Sequence, residues 1–284
     1  MYRHVLVATG GSPWSDAAVA YAIAIAARTG AKLRVLTVLP APNGYDVVAI
    51  TPGHGVVTGP RGEGLLAAAT AQAQDAGVHI EPVCLEGSVP ETILQAIADA
   101  PCDLVVIGAR QVTGKRLRLG EIANIVAAKA PQPVLVVKQP PDVESGAPLA
   151  HRILVPVAGS PWSHAAVDYA ITLAQSERFR ICLLHVMTGP SNAKDDLVDL
   201  EGRHLLARAE TRALSGEVDT TTVMVSGDVA QTIVDTATKR NCDGIIMGTR
   251  GATGWKRVML GSISNMVAVS TPLPVLLVKH FPDL

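Results

Sequence analysis

The stretch Ile153-Leu154-Val155-Pro156-Val157-Ala158-Gly159-Ser160-Pro161-Trp162-Ser163 decides the fold, because the chain writes it twice. Its first five residues are an apolar run of strand length. Ser160 then offers an N-cap hydroxyl, and Pro161 suits the first helical position. The same order appears at Val5-Leu6-Val7-Ala8-Thr9-Gly10-Gly11-Ser12-Pro13-Trp14-Ser15. Two further pairs match downstream: Asp103–Gly108 with Asp243–Gly248, and Pro133–Lys138 with Pro274–Lys279. The offset is 148 at the start and 140 to 141 later, so the first copy carries the longer middle. Repetition on this scale predicts two homologous domains in tandem.

The join is Gln139 to Ala150, with Pro140-Pro141, Ser145-Gly146 and Pro148, which is linker chemistry. The expected domains are therefore 1–140 and 151–284. Within each copy strands alternate with helices. Strand one is Val5–Thr9 or Ile153–Val157, and strand two Lys32–Val38 or Arg180–Val186. The second helix spans Leu65–Asp75 or Leu197–Leu214, and strand three Val78–Leu85 or Thr220–Val225. A third helix follows Gly87 or Gly227; strand four, a glycine loop, a fourth helix and strand five complete the copy. Continuous Val/Ile/Leu strands between helices imply a five-stranded parallel sheet covered on both faces. Ligands in such α/β sheets bind beyond the carboxyl ends of the strands, where strand order reverses. The turn after strand one and the loop after strand four are the expected walls.

That second wall is Gly248-Thr249-Arg250-Gly251 through Leu260, then Gly261-Ser262, between the strand Gly244–Met247 and a helix Ile263–Val269. Glycines let backbone approach a ligand or adopt positive φ. A helix start offers unpaired N–H groups and the positive end of the dipole, which suits an anion. Ser262 stands where an N-cap is expected, and Lys256 and Arg257 add positive charge. The spacing is not that of a Walker loop. Taken alone, the pattern also fits a glycine-rich turn with no ligand.

Gly248, Gly251, Gly261 and Ser262 match the G-x2-G-x9-G-S/T signature of the universal stress protein family, and the whole chain resembles a tandem member of it. The resemblance implies a Rossmann-like, doubly wound fold with strand one beside strand four. It implies pairing through the last strand, here inside one chain as a pseudo-dimer. It implies an adenine nucleotide, ATP foremost with ADP and AMP as alternatives, accompanied by Mg²⁺. By that resemblance Pro156, Val157 and Ala158 border the ligand, the Val186 backbone meets adenine and Met247 lies under the base. Gly248, Arg250, Gly251, Gly261 and Ser262 hold phosphates, and Ile263 and Ser264 open the helix.

Two departures matter. ATP-binding members carry Asp where this chain has Gly10 and Ala158. Losing a charge-assisted hydrogen bond costs about 1.5–3 kcal/mol, roughly 10- to 100-fold in affinity. The first copy departs further: Gln111 replaces the second glycine, one residue is missing between Gly114 and Gly120, and Glu121 replaces the serine. A carboxylate at a helix start sits favourably there but repels phosphate. The first copy is therefore expected to be structural, with Glu121 occupying its anion site. Lys115, Arg116 and Arg118 read as a solvated basic loop or as a compensating clamp.

A net charge of −1 and 3% aromatics argue against nucleic acid or an anionic membrane as partner. The N-terminus runs straight into a strand without signal-peptide layout, and a cytoplasmic protein is expected. Cys84, Cys102, Cys182 and Cys242 have no close pairing, and Cys102 and Cys242, each before an Asp and a buried-type strand, read as small core residues. His185 reads as a satisfied core histidine and His164 as solvent-facing. Pro40–Gly64, with six glycines and four prolines in 25 residues, reads as a long loop. No acid–base or nucleophile–base pair and no metal cluster stands out. The expected function is nucleotide-responsive regulation or stress protection through protein partners, with homo-oligomers as a further expectation. The competing readings are a slow ATPase or nucleotidyl-transfer enzyme, and a nucleotide-free interaction module.

Overall fold

The computed structural model describes residues 2–40, 60–112, 118–139, 151–188, 196–249 and 260–279. The chain forms two compact units: Met1–Arg110 with Gly120–Ala147, and Gln111–Leu119 with Pro148–Leu284.

In the first unit the order is β1 (His4–Thr9), α1 (Pro13–Thr29), β2 (Lys32–Leu39), α2 (Pro60–Asp75), β3 (Ile80–Glu86), α3 (Val89–Asp99) and β4 (Leu104–Gly108). Next along the chain, grouped with the second unit, two short strands, β5 (Gln111–Val112) and β6 (Arg118–Leu119), pair antiparallel. Then come α4 (Glu121–Lys129) and β7 (Val134–Val137). The parallel sheet runs β7-β4-β1-β2-β3. The second unit holds β8 (Arg152–Pro156), α5 (Pro161–Glu177), β9 (Arg180–Met187), α6 (Asp196–Ser215) and β10 (Thr220–Ser226). It continues with α7 (Val229–Lys239), β11 (Gly244–Gly248), α8 (Ser262–Ser270) and β12 (Val275–Val278). Its sheet runs β10-β9-β8-β11-β12, again parallel. In each unit the first strand pairs with the second on one side and the fourth on the other. The strand order reverses between them, as the sequence predicts.

The central strands are apolar throughout because both faces are covered. β4, β7, β11 and β12 are buried along nearly their whole length. In the first unit α1 packs beside α2 and α3 beside α4; in the second α5 packs beside α6 and α7 beside α8. Asp103 locks the foot of the first sheet: its Oδ2 accepts the backbone N–H of Arg3 at 2.6 Å and of His4 at 2.8 Å. Asp243 accepts those of His151 and Arg152 in the same way. Each aspartate thereby fixes the start of strand one against strand four.

Both Ser-Pro starts cap as expected, but the two Ser-Pro-Trp-Ser copies are wired differently. Ser12 Oγ accepts the Ser15 N–H, and the Ser12 N–H returns to Ser15 Oγ at 2.9 Å, a closed capping box. Ser160 Oγ likewise accepts the Ser163 N–H. Ser163 Oγ, however, accepts the Ala158 N–H at 2.8 Å and donates to the Pro156 carbonyl at 3.3 Å. It pins the turn after strand one instead of closing the cap.

Two expectations need correction. Pro60–Gly64 is not loop but the opening of α2, because Gly62 lets that helix lie close to β3. A β-carbon on Gly62 would stand 2.8 Å from Cys84 Sγ. The rest of the expected loop, 41–59, lies outside the described residues. Ser262 is not the N-cap of α8: Gly261 holds that place, and Ser262 is the first helical residue, with no side-chain capping bond.

Candidate functional site

The second unit carries a cleft of about 380 Å³ at the carboxyl ends of β8, β9 and β11, where strand order reverses. That volume suits a small organic ligand. Of the twelve residues expected around a ligand, eight line it: Pro156, Val157, Ala158, Val186, Met247, Gly248, Ile263 and Ser264. Gly261 and Ser262 stand immediately before Ile263, at the start of α8. Arg250 and Gly251 lie outside the described residues, as do Lys256 and Arg257.

Each wall has a physical origin. Val157 is tied to β9 through its N–H to the Leu184 carbonyl at 2.7 Å. Ser163 holds Ala158 by its backbone, and the exposed Ala158 methyl lines the cleft. Met247 is buried under the cleft floor. Ser264 is buried and donates from Oγ to the Gly248 carbonyl at 2.9 Å, which fastens the first turn of α8 to the end of β11. The N–H groups of Ser262, Ile263 and Ser264 lie in the first turn, where a helix provides them no acceptor. The cleft therefore combines an apolar bed with a helix N-terminus at one end, an arrangement that takes a flat apolar group joined to an anion.

The sequence reading assigned Gly248 to ligand approach, and the structure adds a nearer cause. A β-carbon there would stand 2.6 Å from the Trp162 carbonyl oxygen and 2.7 Å from its carbon. The glycine is what lets α5 begin against the end of β11. Neither Gly248 nor Gly261 adopts positive φ.

Sequence reasoning missed three contributors. His185, expected as plain core, is half-buried and lines the cleft, and its Nδ1–H donates to the Val157 carbonyl at 2.9 Å. Gly202 on α6 makes room for that ring: a β-carbon would meet His185 Cδ2 at 2.5 Å and Nε2 at 2.8 Å. A glycine inside an otherwise helical pattern signals such close packing. Ser163 was legible only as part of a helix start.

The first unit has the same frame with different contents. A β-carbon on Gly11 would come within 2.6 Å of Leu65 Cδ2, whereas one on the corresponding Gly159 would meet nothing within 4 Å. Leu65 thus leans onto its own unit's turn, while the corresponding turn beside Leu205 stays open. Thr37 takes the place of His185; it is buried, and among the described residues its hydroxyl has no partner. Glu121 is the first residue of α4, exposed and without a capping bond, so it adds negative charge at the helix start but does not plug it.

Two doubly wound units, with an open cleft at the switch point of the second, define the chain as a tandem α/β protein. The universal stress protein family model matches residues 1–138 and again 150–279, and the chain belongs to that family. A universal stress protein of Bacillus subtilis, YxiE, is 31% identical over 146 residues, covering 45% of this chain and 99% of the relative. One from Methanocaldococcus jannaschii, MJ0531, is 31% identical over 147 residues, covering 48% and 86%. A crystal structure of a universal stress protein from Archaeoglobus fulgidus superposes with a TM-score of 0.73 at 20% identity, over 99% of this chain and 97% of that one. That last likeness speaks for the fold across both units. Among the described residues no helix is long and apolar enough to cross a membrane.

Proposed function

We propose that the second unit binds an adenine nucleotide, ATP foremost, and that the chain acts as a nucleotide-responsive regulator in the stress response, through protein partners. The observation that carries this is the open cleft between β8, β9 and β11 with the α8 N-terminus at its end. The residues fit the group. Val157, Val186 and Met247 offer an apolar bed for a purine, and the first turn of α8 offers N–H donors for phosphate oxygens. Ala158 supplies no carboxylate for the ribose, so affinity rests on the bed and the phosphate end. Mg²⁺ would arrive with the triphosphate, since no group of three or more His, Cys, Asp or Glu among the described residues is arranged to hold a metal.

The first unit supports binding less well. Leu65 closes on Gly11, and Glu121 brings a negative charge to the start of α4. One nucleotide per chain is the expected stoichiometry. The test is calorimetric titration of the full chain with ATP, joined to mass spectrometry of small molecules released from the purified protein. Ser262→Glu, which copies the first unit's Glu121, should remove binding while leaving the melting curve within a few degrees. Two equal sites, or binding untouched by Ser262→Glu, would overturn the assignment. Turnover of ATP well above about one per minute would favour an enzyme instead, since typical enzymes run near 10 per second.

A further inference from the structure

Cys182 and Cys242 lie at the amino end of the second sheet, the end away from the cleft. Cys182 is the third residue of β9, in register with Leu154 and Thr221. Cys242 precedes β11, and its N–H is held by the Ala237 carbonyl at the end of α7. The sequence separates them by sixty residues and suggests no pairing. The fold sets their side chains next to one another, and both are buried, at 1% and 6% exposure. All four cysteines are free thiols.

The surroundings favour a thiolate at one of the two. Cys242 and the Thr221 hydroxyl lie beside Cys182, and Arg240 and Arg152 contribute positive charge. These outweigh burial and draw Cys182 below the ordinary thiol range. Cys242 moves the other way, because it keeps the proton that the pair shares, because it is buried and because Cys182 is charged. Arg152 is itself fixed, with its Nη1–H on the Arg240 carbonyl at 2.6 Å. The pair lies beside the exposed Arg240.

The first unit shows that this is not a requirement of the fold. There Arg34 stands at the position of Cys182 and binds Glu81, at the position of Thr221, through both carboxylate oxygens at 3.1 and 3.0 Å. Its Cys102 has no second thiol, and burial pushes it up to about 11.

We propose that Cys182 and Cys242 form an oxidisable dithiol that a hydroperoxide converts to an internal disulfide, tying the foot of β9 to the segment leading into β11. With hydrogen peroxide the Cys182 thiolate attacks one oxygen, the O–O bond breaks and hydroxide leaves, giving a sulfenic acid. Cys242 sulfur then attacks Cys182 sulfur, the S–O bond breaks and a second hydroxide leaves. The two thiol protons complete two waters. The dithiol loses two electrons and the peroxide gains them. This inference does not depend on the nucleotide assignment.

The full chain is treated with hydrogen peroxide, and its thiols are titrated after unfolding. The expected titre falls from four to two, and dithiothreitol restores it. Tryptic mapping should find peptides 181–194 and 241–250 joined, lighter by two hydrogens. Cys242→Ser should abolish the link and let Cys182 proceed to the sulfinic acid, whereas Cys84→Ala should leave the link intact. The wild-type measurement stands without any variant. Four thiols persisting, loss at Cys84 or Cys102 instead, or Cys182 over-oxidised in the wild type with no link would each overturn the proposal.

Discussion

Leu65 rests on Gly11 so closely that a β-carbon at Gly11 would lie 2.6 Å from its Cδ2, while the corresponding Gly159 has open space. Leu65→Ala should therefore lower the unfolding free energy by about 1–2 kcal/mol, within the range for truncating a partly buried leucine. Leu205→Ala should cost less, because Leu205 borders an open cleft. Urea titration of the two variants measures the difference. Leu205→Trp, which fills the cleft from α6, should abolish ATP binding in a folded protein.

Gly248→Ala should destabilise by about 2–4 kcal/mol, because the obstacle is the Trp162 main chain, which cannot swing aside. Gly159→Ala should leave stability within about 0.5 kcal/mol. If Gly248 served only the ligand, both variants would melt like the parent, and calorimetry of the free protein would show it.

Asp103 gives an acid-side prediction. Partial burial raises its carboxyl, but the N–H donors of Arg3 and His4 and the positive charge of those residues outweigh this, so its pKa ends below the ordinary value. A carboxyl lowered on folding contributes stability above its unfolded pKa, about 3.9, and that contribution is lost as pH falls through the folded value. Asp103→Asn should reduce stability at pH 7 and flatten the loss between about pH 4 and 2. Chemical denaturation across that range reads both effects.

Arg178 and Glu217 hold φ of 60° and 57°, where the first unit has Gly30 at 70° and Gly77 at 68°. Arg178→Gly and Glu217→Gly should each stabilise by about 0.5–1 kcal/mol, since a side chain in the left-handed region is strained. A rise in Tm of a few degrees for each is the expected reading.

Gly202→Ala should push the His185 ring away from the Val157 carbonyl. Loss of that tether loosens the turn that carries Ala158. ATP affinity should fall about tenfold, a hydrogen bond's worth. Val157, Val186 and Met247 keep the apolar bed, so weak binding should survive.

The duplicated Ser-Pro-Trp-Ser segments, the Val/Ile/Leu strands and the paired aspartates made the fold legible, because periodicity and capping are local properties. Met247 and Ser264 were placed at the cleft by the resemblance to the family, and both line it. Gly202, Leu65 and the Cys182–Cys242 contact were not legible. Each depends on which helix face meets which strand at a given height, and one sequence without its three-dimensional register does not carry that. Ser262 was misplaced by one position because Gly261, with ordinary φ and no side chain, serves as the N-cap.

Ser15 in α1 and Ser163 in α5 share a motif and a position, yet the first hydroxyl spends its bonds on its own cap while the second reaches back to Ala158 and Pro156. A duplicated gene can thus part ways in task without changing a letter of the tetrapeptide. Pattern searches would score the halves as equivalent there. Divergence has to be sought instead in the direction in which one oxygen turns.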